Sequence, residues 1–165
     1  MLPTAQSGAQ VALSPSEIEQ WPHTVAARYL TSAWPRGRPA SFRVPALERA
    51  VPVCRDMARV WMDSEGIKDE NARRTALLVV SELMTNAIIH TNSSSINGRL
   101  RQAGGRLVVE VQDEGRASTV SRARHAEYAE YGRGLALVVR SVQALGTQVE
   151  ADGSRTVWAW VPMPR

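Results

Sequence analysis

A carboxylate and a carboxamide stand four residues apart at Glu82 and Asn86, within the run Ser-Glu-Leu-Met-Thr-Asn-Ala-Ile-Ile-His (Ser81 to His90). On a helix, side chains at that spacing lie one turn above the other, about 5–6 Å apart at Cβ. At about 100° per residue, Ala76, Val80, Leu83 and Ala87 share an apolar face, with Glu82 and Asn86 side by side on its flank. An Asn amide oxygen there suits Mg²⁺, a hard cation that keeps several waters and bridges phosphates. A charged residue beside an apolar stripe is most often merely solvated, so the pair needs support from elsewhere in the chain.

Three further segments supply it. Val109 to Arg116 reads as a strand ending in Asp113 and Gly115. Tyr131 to Val139 places Gly132 and Gly134 around Arg133 where a helix opens. Unpaired amides at such a helix start, with the helix dipole behind them, attract phosphate oxygens, and Arg133, Arg122 or Arg124 offers a charge-assisted contact. Asp152 to Trp158 reads as a turn feeding a last strand that contains Thr156.

The order Glu-x-x-x-Asn, Asp-x-Gly, Gly-x-Gly-Leu and a late Thr resembles the Bergerat-type ATP-binding fold of histidine kinases, gyrase B and MutL. Within that superfamily, Ser-Glu-Leu-x-Thr-Asn-Ala-x-x-His is similar to the stand-alone bacterial anti-sigma factor serine kinases of the RsbW and SpoIIAB type. The resemblance runs from about Ala40 to Pro162. It implies ATP and Mg²⁺ as cofactors, Glu82 as the base that activates an attacking hydroxyl, and Asn86 as the metal ligand. It also implies that Asp113 accepts from the adenine amino group beside Gly115, that Gly132, Arg133 and Gly134 serve the phosphates, and that Thr156 supports the adenine and phosphate side. The implied partners are an anti-anti-sigma protein of the STAS type and a sigma factor.

Composition narrows the alternatives. A chain of 165 residues with 44% apolar and 22% charged residues suits one globular domain with a full core. The first dozen residues carry neither a basic cluster nor a long apolar run, and nothing approaches the ~18 apolar residues of a membrane span, so a cytoplasmic location is expected. Cys54 is the single cysteine, which excludes an intramolecular disulfide. The net charge is +4, but the arginines are scattered, which favours solvated faces and an acidic protein partner over direct nucleic-acid binding. Lys68 is the only lysine and lacks the glycine-rich or third-strand context that a P-loop or a eukaryotic-type kinase requires. A Rossmann reading fails too, because Leu137 stands where the third glycine belongs.

These residues need elements to hold them. Residues 1–39, rich in proline, read as an extension, partly ordered or helical, with Ser14 or Ser16 capping a short helix that carries Ile18, Trp21 and Val25. Residues 40–165 read as the ATP-binding domain. Ser41 to Val44 opens it as a strand, and Leu47, Val51, Cys54, Ala58 and Trp61 define a helix over Ala46 to Ser64 ended by Gly66. A second helix runs from a cap at Asp69 to His90. Ser95 to Gln102 and Arg106 to Asp113 alternate around Ala103-Gly104-Gly105 as a hairpin. The polar connection to Tyr131 reads as a lid. Leu135, Val138, Val139, Val142 and Leu145 predict a helix stopped by Gly146, followed by strands over Thr147 to Ala151 and Thr156 to Val161. Helices on one face of a mixed or antiparallel sheet bury these elements economically, giving an α+β two-layer sandwich whose strand face around Trp158 and Trp160 is a candidate surface for homodimerisation.

Three functions fit this reading. The first is a kinase that phosphorylates Ser or Thr on an anti-anti-sigma protein and otherwise holds a sigma factor. The second is a nucleotide-dependent protein-binding module without phosphotransfer. The third is a detached histidine-kinase-like catalytic domain.

Overall fold

The computed structural model describes residues 9–115 and 132–165. In chain order the elements are β1 (Gln10–Ala12), α1 (Pro15–Gln20), α2 (Val25–Ala33), β2 (Ala40–Pro45), α3 (Ala50–Ser64), α4 (Glu70–His90), β3 (Ser95–Ala103), β4 (Arg106–Asp113), α5 (Gly132–Ser141), β5 (Ala144–Val149) and β6 (Arg155–Pro162). The strands form one six-stranded sheet in the order β1-β2-β3-β4-β6-β5, parallel only between β1 and β2. Helices α3 and α4 lie against one face of this sheet, with α5 beside α4. This is the expected two-layer α+β sandwich.

Strand alternation sorts the residues into two faces. Leu107, Val109 and Val111 of β4, with Ala159 and Val161 of β6, are buried beneath the helices. They meet Ala76, Val80, Leu83 and Ala87, the apolar face of α4. The opposite sheet face is polar and aromatic: Arg101 pairs with Glu110 at 3.5 Å, Trp158 and Trp160 rings lie 5.3 Å apart, and the Arg106 guanidinium sits 4.3 Å over Trp160.

Local chemistry sets the boundaries. The Asp69 carboxylate accepts from the Ala72 amide at 2.7 Å and so starts α4. Gly104 and Gly105 both take positive φ, as a two-residue hairpin loop of the primed type demands. Helix α3 begins at Ala50 rather than Ala46, because residues 46–49 form turns, with Leu47 bonded back to Pro45 and Ala50 to Leu47.

Two expectations are corrected. The last helix stops at Ser141, and Leu145 and Gly146 belong to β5, paired with Ala159 and Trp158 of β6. Leu145 happens to fit both a helical period and a strand, and the pairing with β6 decides between them. Gly146 is a glycine because a Cβ there would enter the Trp158 indole, not because it ends a helix. The N-terminal part forms two helices, capped by Ser14 and Thr24. Its Leu13, Ile18, Leu30 and Trp34 join the common core, while Val25 is exposed.

Candidate functional site

Helix α4 and the ends of β4, β5 and β6 enclose a cavity of about 650 Å³. Its lining includes Leu83, Asn86, Ala87 and His90 from α4, Val111 and Asp113 from β4, Leu145, Thr147 and Val149 from β5, and Arg155 and Val157 from β6. Asn86 and Asp113, remote in sequence, therefore open onto one space. A volume within the few hundred to ~1,000 Å³ of small-molecule sites, mostly apolar with a few convergent polar groups, suits a flat heterocycle carrying a polar edge.

Asp113 is held firmly. Its side chain is 2% exposed. Oδ1 accepts from the Gly115 amide at 2.6 Å, and Oδ2 accepts from Arg155 Nε at 3.4 Å and Nη2 at 3.3 Å. The next residue anchors the strand end: Glu114 Oε1 accepts from the Ser94 amide at 3.1 Å and its hydroxyl at 2.7 Å, and the Glu114 amide donates to Ser93 Oγ at 2.9 Å. A buried carboxylate that is fixed and still faces a cavity is an acceptor preorganised for a ligand N–H.

Gly115 has φ of +74°, and a Cβ there would strike the Gly153 carbonyl in the β5–β6 turn. Its lack of a side chain thus serves the close approach of that turn to the end of β4. The turn itself is tied by Asp152, whose Oδ1 accepts from the Ser154 amide at 2.9 Å and hydroxyl at 2.6 Å. Those two bonds, the hydroxyl first, hold the Asp152 carboxyl below its ordinary range.

Glu82 lies one turn before Asn86 and outside the cavity lining. Its carboxylate rests against Gly134 in the first turn of α5, where any Cβ would overlap it. A carboxylate is favoured beside the positive end of a helix dipole. The Glu82 carboxylate and the start of α5 are thereby neighbours, with Asn86 on the same helix face.

Among the predicted site residues, Asn86, Asp113 and Gly115 share the cavity, and Glu82 and Gly134 meet beside it. Gly132 opens α5 as expected. Arg122 and Arg124 lie outside the described residues, as does nearly all of the predicted lid. Thr156 is not brought to this cavity: it faces the opposite side of the sheet with Asn97, Glu110, Gln112 and Trp158. Its neighbours Arg155 and Val157, in phase with buried Ala159 and Val161, face the cavity instead, and Thr147 supplies a hydroxyl-bearing residue there from β5. Sequence reasoning overlooked Arg155 and Thr147. Alternation in β6 separates Arg155 from Thr156, and the burial of Ala159 and Val161 marks the face that carries Arg155.

Residues 44–160 match the histidine kinase-like ATPase domain. The chain belongs to that family. The family's fold recurs in a solved structure, the RsbU and RsbW domains of Rv1364c from Mycobacterium tuberculosis. That structure aligns with a TM-score of 0.58 at 20% identity, over 77% of this chain and 33% of that one. This chain thus spans about a third of that protein's chain. Comparison with curated proteins yields no match. Among the described residues of this ATPase domain, no helix is long and apolar enough to cross a membrane.

Asn86, in the cavity lining, offers an amide oxygen of the kind a hard cation takes. Among the described residues no group of three or more His, Cys, Asp or Glu side chains could cage a metal. Mg²⁺ in phosphate sites needs only one or two protein ligands beside phosphate and water, which the Asn86 oxygen can provide.

Proposed function

We propose that the chain binds ATP with Mg²⁺ in the α4–sheet cavity and, as a kinase, phosphorylates a serine or threonine of a small anti-anti-sigma partner of the STAS type. In its other state it holds a sigma factor inactive, in the cytoplasm. The observation that carries this reading is the single cavity shared by Asn86 and Asp113, which sit on a helix and a strand end separated by the whole β3–β4 hairpin.

In this reading Asp113 accepts from the exocyclic amine of adenine, and the apolar walls Leu83, Ala87, Val111 and Val157 exclude water from the ring. Asn86 holds the cation, which neutralises phosphate charge. The amides at Gly132, Arg133 and Gly134 face the phosphates at the start of α5. Glu82, beside that helix start, takes the proton of the incoming hydroxyl, a role worth typically about 10²–10⁴-fold.

The likeness to the solved RsbU and RsbW pair supports the partner-switching part of the reading through shared fold. A nucleotide-dependent binding module without phosphotransfer is the second reading. It is favoured by the Glu82 carboxylate standing outside the cavity lining, against Gly134.

Mg-ATP at 100 times its dissociation constant should stabilise the fold by about 2.7 kcal/mol. The shift should vanish in Asp113→Asn and be small with Mg-GTP. A melt unmoved by Mg-ATP, or moved equally by GTP, would overturn the adenine site. With γ-labelled ATP and candidate partners, transfer that is lost in Glu82→Gln while binding survives supports the kinase. Binding without transfer in the native chain supports the module.

A further inference from the structure

We propose that Arg155 reads the base together with Asp113, donating from its guanidinium to the ring nitrogen that adjoins the exocyclic amine of adenine. This rests on the nucleotide reading above and adds a second residue that touches the base.

Arg155 opens β6 directly opposite Asp113 in the antiparallel register, and both line the cavity. Their exposures differ: the Asp113 side chain is 2% exposed and that of Arg155 40%. The carboxylate is therefore the floor, and the guanidinium reaches over it from the rim. Both donor nitrogens address a single oxygen, Oδ2, at 3.4 and 3.3 Å. A closed ion pair would engage both oxygens in a fork at about 2.7–2.9 Å. Here Oδ1 is taken by the Gly115 amide.

Capacity remains on each partner. A carboxylate oxygen accepts two hydrogen bonds, so Oδ2 is filled by the two guanidinium contacts while Oδ1, with only the Gly115 amide, keeps one site, and a guanidinium carries five N–H donors. Among the described residues the Arg155 side chain makes no other hydrogen bond than those to Asp113. An acceptor with room and a donor with room thus stand side by side at the end of an apolar slot. The complementary ligand edge is an N–H next to a ring nitrogen lone pair, which is the 6-amino and N1 edge of adenine. Asp113 alone satisfies only the amine, and the charged donor beside it gives N1 a direct partner.

The test titrates the full chain by calorimetry with Mg-ATP and with Mg-1-deaza-ATP, in which a C–H replaces N1 while the amine remains. The wild type should bind ATP at least about tenfold more tightly, the worth of one hydrogen bond to a charged donor. Arg155→Met, which keeps an apolar stem without donors, should bind both nucleotides alike. Equal affinities for the two nucleotides in the wild type would overturn the proposal without recourse to any variant. Tighter ATP binding by Arg155→Met would overturn it too, because Arg155 would then be a plug over Asp113. Asp113→Asn separates this inference from its parent: if Asp113→Asn loses ATP while the wild type ignores the N1 change, only the Arg155 role falls. If ATP binding is absent or indifferent to Asp113, the nucleotide reading itself fails.

Discussion

Gly115→Ala should be far more costly than either Gly37→Ala or Gly153→Ala, although the three glycines share a similar backbone. Their φ angles are +74°, +85° and +87°. A left-handed conformation costs an L-residue about 1–2 kcal/mol, partly offset by about 0.4–1 kcal/mol because alanine also restricts the unfolded chain. A Cβ at residue 37 or 153 meets nothing within 4 Å, so those variants should lose about 1 kcal/mol. At residue 115 the Cβ would fall on the Gly153 carbonyl and within 3.2 Å of Ser154 Cα, backbone atoms with no flexible end to yield. Relief through a shift of residue 115 breaks the 2.6 Å amide bond to Asp113. A bond to a charged group contributes about 1.5–3 kcal/mol, so with the backbone cost of about 1 kcal/mol the total loss should be about 2.5–4 kcal/mol. Urea unfolding followed by tryptophan fluorescence measures this as a fall in midpoint at constant slope. If Gly115→Ala lies within about 1 kcal/mol of the two controls, the close approach of the turn to the strand end is not what holds Asp113 in place.

Other outcomes follow from the same geometry. Thr147→Ala should weaken Mg-ATP binding measured by calorimetry, whereas Thr156→Val should leave it unchanged; the reverse result would mean that β6 presents its other face to the ligand. Burial pushes the Cys54 thiol far above its ordinary range, so a thiol reagent should label the native protein only as fast as the chain opens. Rapid stoichiometric labelling in native buffer would contradict a sealed α3 core. Asp152 has a depressed folded-state pKa, so its stabilising contribution is present above the unfolded value and lost as pH falls through the folded one. The difference in urea midpoint between wild type and Asp152→Asn should therefore shrink on acidification from about pH 6 to about pH 2; a difference that grows would reverse the sign of the argument.

Local physics was sufficient for most of the elements. The Asp69 cap, the apolar period of α4 and the Gly104-Gly105 hairpin depend on neighbours within a few residues, and each stands in the structure where its spacing placed it. The adjacency of Glu82 and Asn86 was legible for the same reason, since helical geometry alone sets it. Strand phase was only half legible. Alternation shows that Arg155 and Thr156 face opposite ways, but the pairing of β6 with β4 and β5 decides which of them meets the cavity, and it chose Arg155. Leu145 likewise satisfied two periods until Ala159 became its partner.

From its residues alone, the chain determined a layered α+β domain and singled out Glu82, Asn86 and Asp113 as candidate site residues. Only the tertiary structure decided that Asn86 and Asp113 share a cavity, that Glu82 lies against Gly134, and that Arg155 shares the Asp113 carboxylate. Those contacts join segments many residues apart. They depend on the sheet order and on how α4 lies across it, and no short-range period encodes either.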